Sequence, residues 1–160
     1  MPGDPGSEAF ARQILLRRLE DQPRSRAELA DALARKNVPD DLAERLLNRF
    51  EEVGLIDDAD FASQWVQSRL RTRGLAPRLL AMELRRKGVA DEIIREVLAD
   101  IDPDDERQAA HQLVQKKLRS MASLDDTTRI RRLTSMLARK GYAPQVAFDV
   151  VRAELDGATV

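Results

Sequence analysis

The chain has 160 residues, of which 34% are charged, 42% are hydrophobic and only 4% are aromatic. The hydrophobic fraction is too high for a disordered chain, the charged fraction is too high for a membrane protein, and the first ten residues lack the pattern of a secretory signal. There is no cysteine and one histidine, which excludes disulfides, a thiol nucleophile and zinc sites built from cysteine or several histidines. We therefore expect a cytoplasmic protein that does not enter a membrane.

Every long segment has the composition and the spacing of an α-helix. Ala, Leu, Arg and Glu dominate, and apolar residues recur at intervals of three and four. Ser25 and Glu28 form the S-x-x-E pattern of a capping box, and glycines such as Gly88 and Gly141 stand where helices should end. The predicted helices cover residues 7–21, 26–36, 40–53, 58–72, 77–87, 91–101, 103–121, 124–140 and 144–155.

One segment of the sequence occurs three times. The copies are residues 29–47, 80–98 and 133–151, which align without gaps at spacings of 51 and 53 residues. The aligned leucines are Leu29 and Leu33, Leu80 and Leu84, and Leu133 and Leu137. Each copy then has a basic pair followed by Asn37, Gly88 or Gly141, which are residues that accept the left-handed conformation. We expect the six leucines to be buried in a shared core.

One further helix precedes each aligned pair, so the repeating unit has three helices. A single unit is small for an isolated core, whereas stacked units bury a continuous core and give an elongated molecule. The predicted fold is therefore all-α, with three tandem three-helix repeats stacked into an elongated rod. The predicted division is a flexible N-terminus over residues 1–6, followed by repeats over 7–56, 57–101 and 102–160.

The net charge of −1 conceals a polarity along the chain. Residues 1–60 carry a net charge of −5, whereas residues 61–100 carry +3 and residues 101–160 carry +1. The densest basic run consists of Arg69, Arg71, Arg73, Arg78, Arg85, Arg86 and Lys87, with Glu83 as the one acid inside it. A second basic patch consists of Lys116, Lys117, Arg119, Arg131, Arg132, Arg139 and Lys140.

Two interpretations of the basic runs stay open at this point. A dense run of like charges repels itself unless a polyanion or an acidic protein lies opposite. Alternatively, the run is a solvated face whose late-helix arginines complement the helix dipole. We interpret Trp65 and Tyr142 as core residues rather than as platforms for base stacking, because both occupy apolar positions of the repeats.

No motif for catalysis is present. The sequence lacks a phosphate-binding loop, a dinucleotide fingerprint, a zinc-protease motif and a nucleophile elbow. His111 lies at the edge of an apolar stripe, which is typical of a half-buried or solvated helix residue rather than of a general base. Acidic pairs at 57–58, 104–105 and 125–126 fall at predicted helix starts, where the dipole favours them without a metal. We therefore expect no enzymatic activity.

Residues 54–88 contain several short motifs in a specific order. These are Gly54-Leu55-Ile56-Asp57-Asp58, Phe61-Ala62, Ser68-Arg69, Gly74, Pro77-Arg78, Glu83-Leu84-Arg85 and Lys87-Gly88. Their order and spacing resemble the signature stretch of the RecX family of RecA regulators, and residues 25–38 and 130–142 are similar to the family's first and last repeats. The likeness covers roughly residues 9–155. Two positions depart from the family pattern: Asp60 stands where the family often has a basic residue, and Leu79-Leu80 replaces an isoleucine-type position.

The resemblance implies a curved rod of three-helix repeats without a catalytic site or a cofactor. It further implies binding in the groove of the RecA–DNA filament, with inhibition of the recombinase, ATPase and coprotease activities of RecA and modulation of DNA repair and the SOS response. We expect the run from Arg69 to Lys87 to contact RecA or DNA, and we expect a monomer whose own DNA contact is weak. The alternative is a free-standing helical DNA-binding module.

Overall fold

The computed structural model describes residues 3–158, which form nine α-helices and no strand. The helices are α1 (Glu8–Asp21), α2 (Arg26–Arg35), α3 (Asp40–Glu52), α4 (Asp58–Arg73), α5 (Pro77–Arg86), α6 (Asp91–Ala99), α7 (Pro103–Leu118), α8 (Asp126–Arg139) and α9 (Pro144–Ala158). The prediction of an all-α fold is confirmed. Residues 1–2 of the predicted N-terminus and residues 159–160 of the predicted third repeat lie outside the described residues. In the part that the structure describes, no helix has the length and apolarity needed to cross a membrane.

Side chains cap the helix starts as the sequence indicates. Ser25 and Glu28 form the predicted capping box at α2, since each side chain accepts the backbone N–H of the other residue. Asp102 accepts the N–H of Asp104 at the start of α7, and Asp125 accepts the N–H of Thr128 at the start of α8. These carboxylates therefore stabilise helix ends.

Two helices end at least two residues earlier than predicted. The last residue of α6 is Ala99 rather than 101, because Asp102 must be extended to cap α7 and the chain therefore leaves the helix before it. The last residue of α7 is Leu118 rather than 121, because the chain then turns so that Met121 is buried. The linker that follows, residues 119–125, is the longest of the three that precede an aligned copy.

The first of two compact units runs to Gln64 and also includes Leu84–Val97. Its main core is formed by α1, α2, α3 and the segment that follows α3. The buried residues are Ala11, Leu15, Leu29, Leu33, Val38, Leu42, Leu46, Leu47, Phe50 and Ile56. The core therefore combines the first sequence copy with the helix that precedes it.

The second unit comprises Trp65–Glu83 and Leu98–Val160. Its main core is formed by α7, α8 and α9 together with the linker between α4 and α5. The buried residues are Ala76, Ala110, Val114, Met121, Leu133, Leu137, Tyr142, Ala147, Val150, Val151 and Leu155. Because α4, α5 and α6 each contribute to both units, the predicted repeat boundaries stay a prediction.

The six aligned leucines are all buried, as predicted. Their exposed fractions are 1% or less in every copy. Full burial of one leucine side chain contributes about 1.5–3 kcal/mol relative to exposure. The gapless alignment therefore identifies the core positions of the repeated segment correctly.

The turn that follows the second helix of each three-helix repeat has the predicted left-handed residue. The φ angles are 62° at Asn37, 78° at Gly88 and 95° at Gly141. Gly88 packs against Ala27 so closely that a Cβ at position 88 would overlap with the Ala27 Cβ. A Cβ at position 141 would lie 2.9 Å from the Leu79 Cγ. The Gly88 turn is therefore packed against the start of α2. The Gly141 turn is packed against α5 and the linker that precedes it.

Candidate partner-binding surfaces

Arg69 is held inside the second unit by two neighbours. Its guanidinium carbon lies 4.6 Å from the centre of the Trp65 ring, and its Nη2 lies 3.4 Å from the Glu83 Oε2. The same carboxylate accepts a hydrogen bond from the Trp65 Nε1 at 3.1 Å. Glu83, the one acid of the basic run, therefore neutralises Arg69 and fixes the indole. Trp65 is half-buried rather than a full core residue, and the Arg69 guanidinium lies over its ring.

Three arginines at the junction of α4 and α5 are exposed. Among the described residues, no carboxylate lies within ion-pair distance of Arg71, Arg73 or Arg78. The first two lie in the last turn of α4, where the helix dipole favours a positive charge. Arg78 lies in the first turn of α5, which contains no acidic residue and where the dipole disfavours a cation. Helix electrostatics therefore accounts for two of these charges and leaves the third unexplained.

The short linker that joins these arginines is held by the third sequence copy. The Tyr142 hydroxyl donates to the Gly74 carbonyl at 2.8 Å, and the Ala76 N–H donates to the Lys140 carbonyl at 2.9 Å. Burial raises the pKa of the Tyr142 phenol, with a smaller contribution from Glu106, so the hydroxyl keeps the proton that it donates. The linker is therefore fixed at both of its ends, next to Arg73 and Arg78.

The remainder of the first basic run belongs to the first unit and is mostly neutralised there. Arg85 pairs with Asp91 at 3.0 Å, and the Lys87 ammonium lies 3.2 Å from the Glu28 carboxylate. Arg86 is exposed and has no ion pair among the described residues. Of the seven predicted side chains, Arg69, Arg85 and Lys87 therefore have acidic partners, and the other four have none among the described residues.

The second basic patch divides in a similar way. Lys117, Arg131, Arg132 and Arg139 line one groove of about 400 Å³ between the end of α7 and α8. Lys116 and Arg119 are exposed outside this lining, and Lys140 is half-buried with its carbonyl bound to the Ala76 N–H. The structure therefore brings four of the seven predicted side chains together.

His111 and Asp58 both have hydrogen-bond partners within the described part of the chain. The His111 Nδ1 lies 2.7 Å from the Glu154 Oε1, on half-buried side chains of α7 and α9. Burial raises the pKa of Asp58, although the hydrogen bond from the Arg26 N–H opposes that shift. In the part of the chain that the structure describes, no group of three or more His, Cys, Asp or Glu side chains is placed to hold a metal ion.

Comparison with known proteins gives the same family for all three parts of the chain. Family models for the first, second and third three-helix domains of RecX match residues 11–50, 57–98 and 104–151. The regulatory protein RecX of Streptomyces lividans is 49% identical over 155 residues, which are 97% of this chain and 81% of that protein. The regulatory protein RecX of Mycolicibacterium smegmatis is 51% identical over 153 residues, with 92% and 81% covered.

A solved structure shares the fold. The crystal structure of RecX from Lactobacillus salivarius superposes with a TM-score of 0.83 at 21% sequence identity. The superposition covers 93% of this chain and 96% of that one. The tandem three-helix architecture is therefore common to sequences that share about one residue in five.

Proposed function

The chain belongs to the RecX family, and we propose that it is a regulatory protein that binds the RecA–DNA filament and inhibits RecA. The activities proposed to be inhibited are recombination, ATP hydrolysis and stimulation of repressor cleavage, with DNA repair and the SOS response as the processes modulated. The observation that carries the proposal is the ordered match of all three RecX three-helix domains over residues 11–151. The proposed place of action is the cytoplasm, and the proposed form is a monomer.

The contact surface proposed for RecA or for its DNA is the junction of α4 and α5. Arg71, Arg73 and Arg78 are exposed, lack acidic partners among the described residues and flank a linker that Tyr142 holds in place. A guanidinium pairs in bidentate fashion with either carboxylate or phosphate, so this set suits an acidic protein surface as well as a DNA backbone. Holding the linker fixed lowers the entropy lost on binding.

No catalytic step is proposed for this chain. His111 is committed to Glu154, and the described residues contain no activated nucleophile beside a base. Regulation in this proposal comes from occupancy of the filament and requires no turnover.

The test measures the DNA-dependent ATPase of RecA against added protein at two salt concentrations. The variant Arg71→Glu/Arg73→Glu/Arg78→Glu removes the proposed surface. The control Arg35→Glu/Arg45→Glu/Arg49→Glu makes the same change of charge on exposed arginines of α2 and α3 that have no ion pair among the described residues. Circular dichroism confirms that both variants fold.

We expect the wild type and the control to inhibit, and the α4–α5 variant to lose inhibition. Inhibition by the wild type should weaken at the higher salt, because exposed charges are screened. Full inhibition by the folded α4–α5 variant would show that the contact surface does not include Arg71, Arg73 and Arg78. Failure of the wild type to inhibit RecA at either salt would contradict the proposed function itself.

A further inference from the structure

The groove between the end of α7 and α8 is lined by hydrogen-bond donors and apolar side chains. Its lining consists of Lys117, Ser120, Met121, Arg131, Arg132, Ser135, Met136 and Arg139. No carboxylate belongs to this lining, and its volume of about 400 Å³ lies in the range of ligand sites, roughly 300–1,000 Å³. Four positive charges and two hydroxyls therefore face one concave space with no internal counter-charge.

One face of α8 supplies most of this lining. Arg131, Ser135 and Arg139 are spaced by four residues, so they lie above one another on the helix surface. A glutamate at position 135 would pair with both arginines, as Glu8 pairs with Arg12 at 3.0 Å in α1. Position 135 is a serine instead, and the arginines stay unpaired among the described residues.

Helix electrostatics does not account for this arrangement. Arg139 and Lys117 lie in the last turns of α8 and α7, where the dipole favours cations. Arg131 and Arg132 lie in the interior of α8, beyond the reach of either helix end. The pKa of Asp125 is lowered mainly by hydrogen bonds from Thr128, and Arg131 and Arg129 contribute less.

The wall of the groove is held rigidly by a residue outside the lining. The Arg129 Nε donates to the Met121 carbonyl, and its Nη2 donates to the Ala122 carbonyl, both at 3.0 Å. Ser120 in turn donates from its hydroxyl to the Lys117 carbonyl at 2.8 Å. Ser120 thus binds the linker after α7 to the end of α7, and Arg129 binds the same linker to α8. The groove is therefore formed without a ligand.

We propose that this groove binds the sugar–phosphate backbone of single-stranded DNA. A phosphodiester chain brings regularly spaced negative charges, which suits several unpaired cations in one groove, and Met121 and Met136 give the sugars an apolar floor. An acidic protein segment would satisfy the charges but would leave the apolar floor without a specific role. This proposal adds a DNA-binding site to the proposed function. It rests on that function only for the assumption that the DNA is the strand inside a RecA filament.

The test uses DNA without RecA, so that its result is independent of filament inhibition. Fluorescence anisotropy follows a fluorescein-labelled oligothymidylate titrated with the wild type and with Arg131→Gln/Arg132→Gln/Arg139→Gln. The matched control is Arg35→Gln/Arg45→Gln/Arg49→Gln, which removes the same charge from the first unit. Three lost phosphate contacts should weaken binding by about tenfold or more at low salt and reduce the slope of log K against log salt by about 2.

A second variant tests the groove without removing any arginine. Ser135→Glu supplies the missing carboxylate between Arg131 and Arg139, so it should stabilise α8 while also weakening DNA binding by about tenfold. This variant separates loss of binding from loss of folding, because the two effects have opposite signs.

Three outcomes would overturn the proposal. One is the absence of DNA binding by the wild type at low salt, and another is equal affinity of the groove variants and the control. The third is displacement of the oligothymidylate by polyglutamate as effectively as by unlabelled DNA, which would assign the groove to an acidic protein. Retained inhibition of RecA alongside any of these would leave the proposed function intact.

Discussion

The turn at Asn37 and the turn at Gly88 occupy the same place in two copies of one sequence, yet they have different surroundings. Both residues have a left-handed backbone, with φ angles of 62° and 78°. Both residues are exposed, but a Cβ at position 88 would overlap with the Ala27 Cβ, and the neighbouring Lys87 carbonyl accepts a hydrogen bond from the Ser25 hydroxyl at 2.6 Å. The comparison separates two demands on the residue. A left-handed backbone alone permits asparagine, whereas close packing in addition requires glycine.

The third copy uses the same kind of contact to fix the proposed contact surface. Gly141 packs near Leu79, and the residues on either side of it, Lys140 and Tyr142, bind the linker between α4 and α5. Arg73, at the end of α4, and Arg78, in the first turn of α5, flank that linker. The packing of a glycine turn therefore connects the repeat architecture with the proposed contact surface.

The largest effect is expected for Gly88→Ala. The new Cβ overlaps with that of Ala27 and also places an alanine at a left-handed φ, which together should cost about 2–4 kcal/mol. The measurement is the free energy of unfolding in urea. The double variant Ala27→Gly/Gly88→Ala removes the overlap and should recover part of the loss, and strict additivity of the two single changes would contradict the packing explanation.

A smaller effect is expected for Tyr142→Phe. The change leaves the Gly74 carbonyl buried without its donor while keeping the ring, which should cost about 1–3 kcal/mol. Thermal unfolding followed by circular dichroism measures this loss. An unchanged melting temperature would mean that the hydroxyl does not hold the linker in solution.

The smallest effect is expected for Asn37→Gly. The turn is exposed and already left-handed, so the substitution should change the free energy of unfolding by only a few tenths of a kcal/mol. The converse change, Gly88→Asn, should destabilise the protein strongly, because the new Cβ overlaps with that of Ala27. Asparagine tolerates the left-handed backbone, so the overlap would be the cause of the loss. Similar urea midpoints for the two variants would show that the two turns do not differ in packing.

The sequence was sufficient for the helices and for the buried leucines, because periodicity and capping are local. Asp125 and the Ser25–Glu28 box act within one helical turn, and each aligned leucine occupies a fixed place in its helix. The left-handed turns could also be predicted, since asparagine and glycine at the same aligned position imply that backbone conformation.

The pairing of the basic residues could not be predicted in the same way. Glu28 pairs with Lys87 across 59 positions of sequence, and only the packing of the Gly88 turn brings the two together. Asp91 was close in sequence to Arg85, and a check for acids just outside the run would have found that pair. The groove of the second basic patch could not be predicted either, because it depends on how the linker after α7 folds back onto α8.

The central claim is that Arg71, Arg73 and Arg78 contact the RecA–DNA filament, and direct binding tests it best. Because the chain has no cysteine, Gln13→Cys, on the exposed surface of α1, gives a single labelling site. The anisotropy of the labelled protein is then followed as preassembled RecA–DNA filaments are added. We predict that Arg71→Glu/Arg73→Glu/Arg78→Glu binds about tenfold more weakly or worse, while Arg35→Glu/Arg45→Glu/Arg49→Glu binds as the wild type does. Equal binding of the two charge-matched variants would contradict the claim.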